Sequence, residues 1–337
     1  MTTIGSTSIV NLQAITKTYR NQVTALNAVD LTIARQEIVG IMGANGSGKS
    51  TLLKIIAGTL TPELGSAKIF EQNIAKNNEQ LTHKISYISQ DKALDPEMTG
   101  KELLGYFAAL YGLSSNKARQ RTTDLITTFK MDTFICRRVN TYSGGQAQRL
   151  HLAIGIIHQP ELLLLDEPTS AIDPGGKAFL WDFIQAYQQQ GNTIIIISHE
   201  LETIYQYCSR VLLLDNGQVI AYDTPNNIVH TYAKPVLLIK VAEKLKNTDA
   251  LKPALQQTIS SENIQFQGQS VRLEIDKIDS VDKSSILQQV LQAFASQQLA
   301  VTECRWEEPG LANAYFKLTD KNIIAPSITK KGKRKRA

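Results

Sequence analysis

The chain has 337 residues, of which 42% are hydrophobic and 20% charged, a composition that is typical of globular proteins and excludes a mainly disordered chain. This length predicts about two domains and a core that needs neither disulfides nor metal. The longest aliphatic runs have the length of a strand, and the N-terminus lacks the pattern of a secretory signal. We therefore expect neither a membrane-spanning helix nor export of the chain.

The formal net charge of +5 comes from a short tail. Six basic residues occupy the tail, and without them the formal charge is −1: Lys330, Lys331, Lys333, Arg334, Lys335 and Arg336. The near-neutral remainder argues against a broad nucleic-acid-binding face. Three widely spaced cysteines form no metal-binding pattern, which fits a reducing compartment.

The first two thirds of the chain alternate strand-like and helix-like segments. Residues 9–19, 28–33 and 37–42 read as strands, and residues 50–57 as a helix that follows a glycine-rich turn. Residues 161–165 and 193–198 are continuous aliphatic runs, typical of strands buried on both faces of a parallel sheet. Asn216-Gly217 predicts a hairpin between 211–214 and 218–221.

A helical insertion is predicted between these strands. Residues 101–113 and 118–129 read as two helices with no strand between them. The composition changes near residue 225, and beyond it we expect strands at 236–241, 264–266, 270–275 and 300–306. Helices are expected at 248–257, 284–295 and 311–318. The order predicts a small α+β domain of ferredoxin-like type.

The glycine-rich turn matches the phosphate-binding pattern GxxxxGK[ST]. Its residues are Gly43-Ala44-Asn45-Gly46-Ser47-Gly48-Lys49-Ser50. Glycines let backbone N–H groups surround a phosphate, and the helix N-terminus adds a positive dipole end. Lys49 is expected on the β- and γ-phosphates of the ligand, and the Ser50 hydroxyl on Mg²⁺.

Four leucines lead into two carboxylates at Asp166 and Glu167. A buried strand delivers such residues to the carboxyl edge of the sheet, where ligands bind in α/β proteins. We expect Asp166 to hold Mg²⁺ and Glu167 to act as general base for the attacking water.

Further motifs resemble the ATP-binding subunits of ABC transporters over residues 9 to 225. The segment from Tyr142 to Arg149, with Ser143, Gly144, Gly145 and Gln146, resembles the family's signature motif. Gln90, the segment 170–173 and His199 stand in order where the family has its Q-loop, D-loop and switch histidine. The fold class that the resemblance implies is an α/β P-loop ATPase with an antiparallel β-subdomain and a helical subdomain.

The resemblance also implies roles for individual residues. Gln90 would contact Mg²⁺ and the water, and His199 the γ-phosphate. Tyr19 would stack on adenine, although a tyrosine packed in the core is the alternative. The remaining residues implied in nucleotide binding are Gly43, Asn45, Gly46, Ser47, Gly48, Thr51, Ser143, Gly144, Gly145, Gln146 and Asp173.

We expect an ATPase domain at 1–230, which includes a helical insertion at about 91–145. An accessory domain is expected at 231–320 and the tail at 321–337. The resemblance implies a head-to-tail homodimer and a separate membrane permease. The permease could dock at the helix that carries Tyr106, Phe107 and Tyr111, although packing in an ordinary helix core is an equal alternative for each of these aromatic residues. It favours the exporter type, bound peripherally at the inner face of the cell membrane. The closing segment 308–319 resembles that subgroup.

Other interpretations stay open. A soluble ATPase of the same family acting on ribosomes or nucleic acid is the main alternative. Translation-type members usually carry two such domains in one chain, and DNA-repair members carry a long coiled coil or zinc-binding cysteines, features that this sequence does not show. A membrane apparatus other than an exporter is a third. The basic tail would be a solvated end, a contact to anionic lipid or, least favoured, a contact to nucleic acid.

Overall fold

The computed structural model describes residues 8–20, 22–74, 81, 83–170, 172–243, 245, 251–259, 264–275 and 283–319. The chain divides into two units, Met1–Pro225 and Asn226–Ala337. The basic tail and Ala171 of the predicted D-loop lie outside the described residues. No described helix is long and apolar enough to cross a membrane.

The first unit alternates strands and helices. Its elements, in chain order, are β1 (Ser8–Thr18), β2 (Thr24–Ala34), β3 (Ile38–Met42), α1 (Lys49–Ile56), β4 (Leu64–Ile69), β5 (Gln72–Asn73), β6 (Ile85–Ile88), α2 (Gly100–Leu110), α3 (Ser115–Thr128), α4 (Gly144–Gly155), β7 (Leu162–Asp166), α5 (Pro174–Gln189), β8 (Thr193–Ile197), α6 (Leu201–Tyr207), β9 (Arg210–Asp215) and β10 (Gln218–Asp223).

A six-stranded sheet with the order β10-β9-β3-β8-β7-β6 forms the centre of the first unit. Each pair of neighbouring strands from β9 to β6 is parallel, and every residue of β3, β7 and β8 is buried. Continuous aliphatic sequence is what strands covered on both faces require. Asn216 and Gly217 both adopt positive φ, as a hairpin turn of type I′ requires, and they join β9 to β10 as predicted.

A second, antiparallel sheet has the order β2-β1-β4-β5. One cluster of buried side chains joins this sheet, the apolar face of α1 and alternate residues of the central strands. Leu52, Leu53, Ile55 and Ile56 of α1 are fully buried in it. Burying each such side chain contributes about 2 kcal/mol. The packing therefore fixes α1, and with it the turn that precedes the helix.

The two helices predicted in the insertion are α2 and α3. Helix α2 begins in a capping box, in which the Thr99 hydroxyl accepts from the Glu102 N–H and the Glu102 carboxylate accepts from the Thr99 N–H. Such reciprocal caps satisfy donors that a helix start leaves free. The sequence predicts that this helix ends at Leu113, but α2 ends at Leu110 because Gly112 takes a positive φ.

The second unit is a smaller α+β domain. Its elements are α7 (Pro225–Tyr232, beginning at the last residue of the first unit), β11 (Val236–Val241), α8 (Leu251–Ile259), β12 (Ile264–Gln267), β13 (Ser270–Glu274), α9 (Lys283–Ser296), β14 (Val301–Glu307) and α10 (Leu311–Thr319). The sheet order is β12-β13-β11-β14, and every pair is antiparallel. From β11 to β14 the βαββαβ order is the predicted one.

Gly65 tests the packing of β4 against β1. It has φ +92, and a Cβ there would lie 2.4 Å from the carbonyl oxygen of Gln13 and 2.5 Å from that of Ala14. We expect Gly65→Ala to lower the free energy of unfolding in urea by about 3 kcal/mol or more, through backbone strain and overpacking together. Gly112 has φ +70 but open space around it, so Gly112→Ala should cost only about 1–2 kcal/mol. Equal losses would contradict the tight β1–β4 contact.

Candidate functional site

The phosphate-binding loop joins the carboxyl end of β3 to α1. Gly48 precedes the helix with φ +106, and a Cβ there would lie 2.3 Å from the Ala25 carbonyl oxygen. A Cβ on Gly43 would lie 2.2 Å from the Leu214 carbonyl oxygen and 2.5 Å from Ser47 Oγ. Gly46 needs glycine only for its positive φ, because nothing lies within 4 Å of its Cβ position. Asn45 and Ser50 are exposed, whereas Ser47 and Thr51 are buried.

Lys49 is the first residue of α1, and its side chain is buried. Its ammonium donates to the carbonyl oxygens of Gly43 and Ala44, each at 2.9 Å. Burial lowers the pKa of Lys49, and the carboxylates of Glu167 and Asp166 partly offset that shift. The ammonium is thus bound to the loop and interacts electrostatically with the two acids.

Strand register assembles the acidic part of the site. Ile88 of β6 pairs with Leu165 of β7, and Asp166 pairs with Ile197 of β8. Residues just beyond these strand ends therefore meet at one edge of the sheet. They are Gln90, Glu167 and His199.

Glu167 accepts from both neighbours. Gln90 Nε2 lies 3.1 Å from Glu167 Oε2, and His199 Nε2 lies 2.9 Å from Glu167 Oε1. The backbone of Glu167 is left-handed, with φ 50, while its N–H donates to the Ile197 carbonyl oxygen at 3.1 Å. A non-glycine residue in this region is strained, and such strain concentrates at functional sites. The turn aims the carboxylate between the two donors.

Asp166 is buried at the end of β7, and the half-buried Tyr87 donates its hydroxyl to Asp166 Oδ2 at 3.0 Å. Burial, followed by the Asp166 charge, raises the pKa of Tyr87, which keeps the phenol protonated. No described cluster of three or more His, Cys, Asp and Glu could hold a metal by itself. Asp166, Ser50 and Gln90 offer a carboxylate, a hydroxyl and an amide oxygen, a donor set that suits Mg²⁺ accompanied by phosphate oxygens.

Tyr19 stands just beyond β1 and is 40% exposed, so it is not packed in the core. Its hydroxyl lies 3.2 Å from Thr51 Oγ1 on α1. A cavity of about 870 Å³ adjoins it and is lined by Lys17, Thr18, Arg20, Val23, Leu60 and Glu63. The aromatic ring therefore borders an open space beside the helix that follows the phosphate-binding loop.

The predicted signature residues form the start of α4. Ser143 caps the helix, and its N–H donates to Gln146 Oε1 at 3.1 Å, while Gln146 N–H donates to Ser143 Oγ. Arg137 donates to the same Gln146 oxygen at 2.9 Å. A Cβ on Gly145 would meet nothing within 4 Å, so internal packing does not require glycine there. Gln146 is used in this cap rather than left free for a ligand.

Asp173, implied in nucleotide binding, caps α5, where its carboxylate accepts from the Gly176 N–H at 2.6 Å. It shares a cavity of about 250 Å³ with Ser143, Gly145 and Gln146, and no residue of the phosphate-binding loop lines that cavity. The structure thus brings the predicted residues together in two groups, one around Glu167 and Lys49 and one around the start of α4.

Comparison with known proteins decides the family. The sequence family described as ABC transporter matches residues 26–170. The doxorubicin resistance ATP-binding protein DrrA of Mycobacterium tuberculosis is 32% identical, over 73% of this chain and 74% of that protein. The Nod factor export ATP-binding protein I of Ralstonia nicotianae is 28% identical, over 67% and 70%. The chain belongs to the ATP-binding subunits of ABC transporters.

The fold agrees with this family. A solved dimeric ATP-binding cassette in a post-hydrolysis state, bound to ADP and Pi, has a TM-score of 0.59 and 27% identity, covering 64% of this chain and 98% of that one. The resemblance drawn from the motifs is confirmed, and so is the fold class. The ABC subunit binds ATP, and hydrolysis of ATP is the reaction of its family.

Sequence reasoning missed two residues of this ABC subunit. Tyr87 carried no motif, although its place on β6, three residues before Gln90, puts it beside the end of β7. Lys92 follows Gln90 by two residues, and its ammonium donates to the Gly144 carbonyl oxygen at 3.1 Å. Parallel strand register would have suggested the first, whereas the second depends on a tertiary contact that sequence spacing does not reveal.

Tyr87→Phe tests whether the tyrosine orients Asp166. Loss of the hydroxyl should raise the Mg²⁺ concentration needed for half-maximal ATPase activity by about 10-fold, the effect typical of removing a hydrogen bond to a metal ligand. The measurement is a Mg²⁺ titration at saturating ATP. Tyr106→Phe, at a residue that is 56% exposed on α2, is the control. An unchanged Mg²⁺ requirement in Tyr87→Phe would contradict the role.

Proposed function

We propose that this ABC subunit powers a separate membrane permease of the exporter type by closing as a homodimer on ATP and reopening after hydrolysis. The observation that carries the proposal is the separation of the predicted residues into two groups. One group contains the residues predicted to bind phosphate and to act as acid and base, and the other presents a helix N-terminus beside a cavity that no residue of the phosphate-binding loop lines. Two copies placed head to tail would complete two sites.

In the first group, backbone N–H groups of residues 43–51 and the Lys49 ammonium would bind the β- and γ-phosphates. Ser50, Gln90 and Asp166 would hold Mg²⁺, which when bound neutralises phosphate charge and orients the phosphate oxygens. The Glu167 carboxylate would accept the proton of the attacking water. Its hydrogen bonds with Gln90 and His199 support a role for Gln90 toward the attacking water and for His199 toward the γ-phosphate.

In the second group, Ser143 and the N–H groups of Gly144 and Gly145 would bind the γ-phosphate held by the other copy. A helix N-terminus attracts anions through its free N–H groups and dipole. The open space at Gly145 leaves room for a group that comes from outside the chain. Gln146 and Asp173 would act by shaping this edge, and Tyr19 would stack on adenine in the cavity beside Thr51. The dimeric solved cassette supports the arrangement.

The exposed face of α2 suits a membrane partner. Tyr106 is 56% exposed and Leu110, one turn later, is 63% exposed. Residues four apart share one face of a helix, so the two side chains form one apolar surface, which we call the α2 patch. The patch lies on the first helix after Gln90, so a permease bound there could respond to the state of the site.

Export as the direction of transport is supported by the names of the relatives, which describe doxorubicin resistance and Nod factor export. Attachment through a permease would place this subunit at the inner face of the membrane. Contact of the basic tail with anionic lipid stays a prediction from composition, at about 1 kcal/mol for each basic residue near the surface.

Glu167→Gln tests the composite site. The amide cannot accept the proton of the attacking water, so turnover should fall by at least about 100-fold, while ATP binding remains. With hydrolysis blocked, gel filtration in ATP and Mg²⁺ should show a dimer, and the same variant in ADP should elute as a monomer. The exposed Glu202→Gln on α6 is the matched control and should keep normal turnover.

Two results would overturn the proposal. Normal hydrolysis by Glu167→Gln would show that the glutamate is not the general base. A variant that binds ATP, does not hydrolyse it and stays monomeric would contradict the proposed dimer, because the signature residues would then have no γ-phosphate to bind.

A further inference from the structure

Two lysines connect the loops of the first group with the helices of the second. The first is Lys92. Its half-buried side chain leaves the loop that carries Gln90, and the ammonium reaches the Gly144 carbonyl oxygen at 3.1 Å. Gly144 is the first residue of α4, directly after Ser143. One hydrogen bond from a charged donor, which is stronger than a neutral one, therefore connects the loop of Gln90 to the start of α4.

Lys177 is the second. It lies in the first turn of α5, four residues after Asp173, and its ammonium is 2.7 Å from Glu200 Oε1. Glu200 follows His199 directly, and its other carboxylate oxygen accepts from the Thr203 hydroxyl at 3.2 Å. Because the carboxylate is held at both oxygens, the ion pair gives a defined connection between the switch histidine loop and the helix that follows the D-loop.

The two contacts share a pattern. At one end of each is a loop whose neighbouring residue, Gln90 or His199, donates to Glu167 of the same site. At the other end is a helix start that, in the proposed dimer, faces the site of the other copy. Each lysine therefore joins a residue that senses phosphate in one site to an element that helps to form the second site.

We propose that Lys92 and Lys177 are positioning residues that couple the two ATP sites of the dimer to each other. This inference rests on the proposed head-to-tail dimer. Coupling between two sites is reciprocal, so binding of ATP at one site raises the affinity of the other by the same factor in either order. The predicted consequence is positive cooperativity in ATP that depends on both lysines.

The experiment measures the ATPase rate of the full chain against ATP concentration, and in parallel the affinity for a fluorescent ADP analogue. We expect a wild-type Hill coefficient between about 1.5 and 2, the upper bound being the number of sites. Lys92→Met and Lys177→Met should each lower it, and the double variant should reach about 1. ADP affinity, which depends on the phosphate-binding loop and Tyr19 but on neither lysine, should stay within about 2-fold of the wild-type value.

Rescue variants separate coupling from structural damage. Lys92→Arg keeps a charged donor for the Gly144 carbonyl group and should keep most of the cooperativity. Lys177→Glu and Glu200→Lys should each lower the Hill coefficient, and the double exchange should restore it because the ion pair is re-formed with opposite polarity. Lys101→Met, at an exposed lysine on α2, is the matched control and should leave the Hill coefficient unchanged.

Each result has one meaning. A cooperative wild type whose lysine-to-methionine variants stay equally cooperative would overturn the coupling role and leave the dimer intact. The coupling role would also be overturned if the methionine variants lost both cooperativity and ADP affinity and the arginine and exchange variants did not restore them. The lysines would then only maintain the structure. A non-cooperative wild type whose Glu167→Gln form still dimerises in ATP would overturn the coupling alone. A Glu167→Gln form that stays monomeric would overturn the proposed dimer, and the coupling with it.

Discussion

The two hydrogen bonds that hold the Glu167 carboxylate are the interaction on which the rest of the site depends. They exist because β6, β7 and β8 run parallel in one register, so that Gln90, Glu167 and His199 leave the sheet at the same edge. The strained backbone of Glu167 then turns its side chain back between the two donors. Burial of the aliphatic strands supplies the stability that offsets this local strain.

The same packing fixes the phosphate-binding loop. Helix α1 is buried between the antiparallel sheet and the central sheet, and the loop before it touches backbone at Gly43 and Gly48 with no room for a Cβ. The ammonium of Lys49 donates to this loop and interacts electrostatically with Glu167 and Asp166. The signature helix carries none of these groups. In the proposed dimer, each copy would contribute the phosphate-binding loop of one site and the signature residues of the other.

The fold was largely predictable from the sequence where one signal dominates. Aliphatic runs such as Leu162–Asp166 identify buried strands, and Asn216-Gly217 identifies a hairpin, because burial and positive φ each restrict the residue type. Strands β4 and β6 carried no such run and were not predicted. Helix α5 was not predicted: Asp173 and Pro174 are favourable at a helix start, but Gly175 and Gly176 in the first turn are poor helix formers. The residues around Glu167 came from motifs, whereas Tyr87, Lys92 and the pair of Lys177 with Glu200 arise from tertiary contacts that no local pattern encodes.

The most direct test of the account is co-purification from membranes. A tagged Glu167→Gln form, expressed in its own cell and solubilised in mild detergent with ATP, should bring down a polytopic membrane protein at near-equal stoichiometry. The same form carrying Tyr106→Ser and Leu110→Ser should lose that partner while it still dimerises, because the α2 patch is exposed and outside the ATP site. Recovery of ribosomes or nucleic acid with no membrane protein would contradict the claim that this ABC subunit powers a permease.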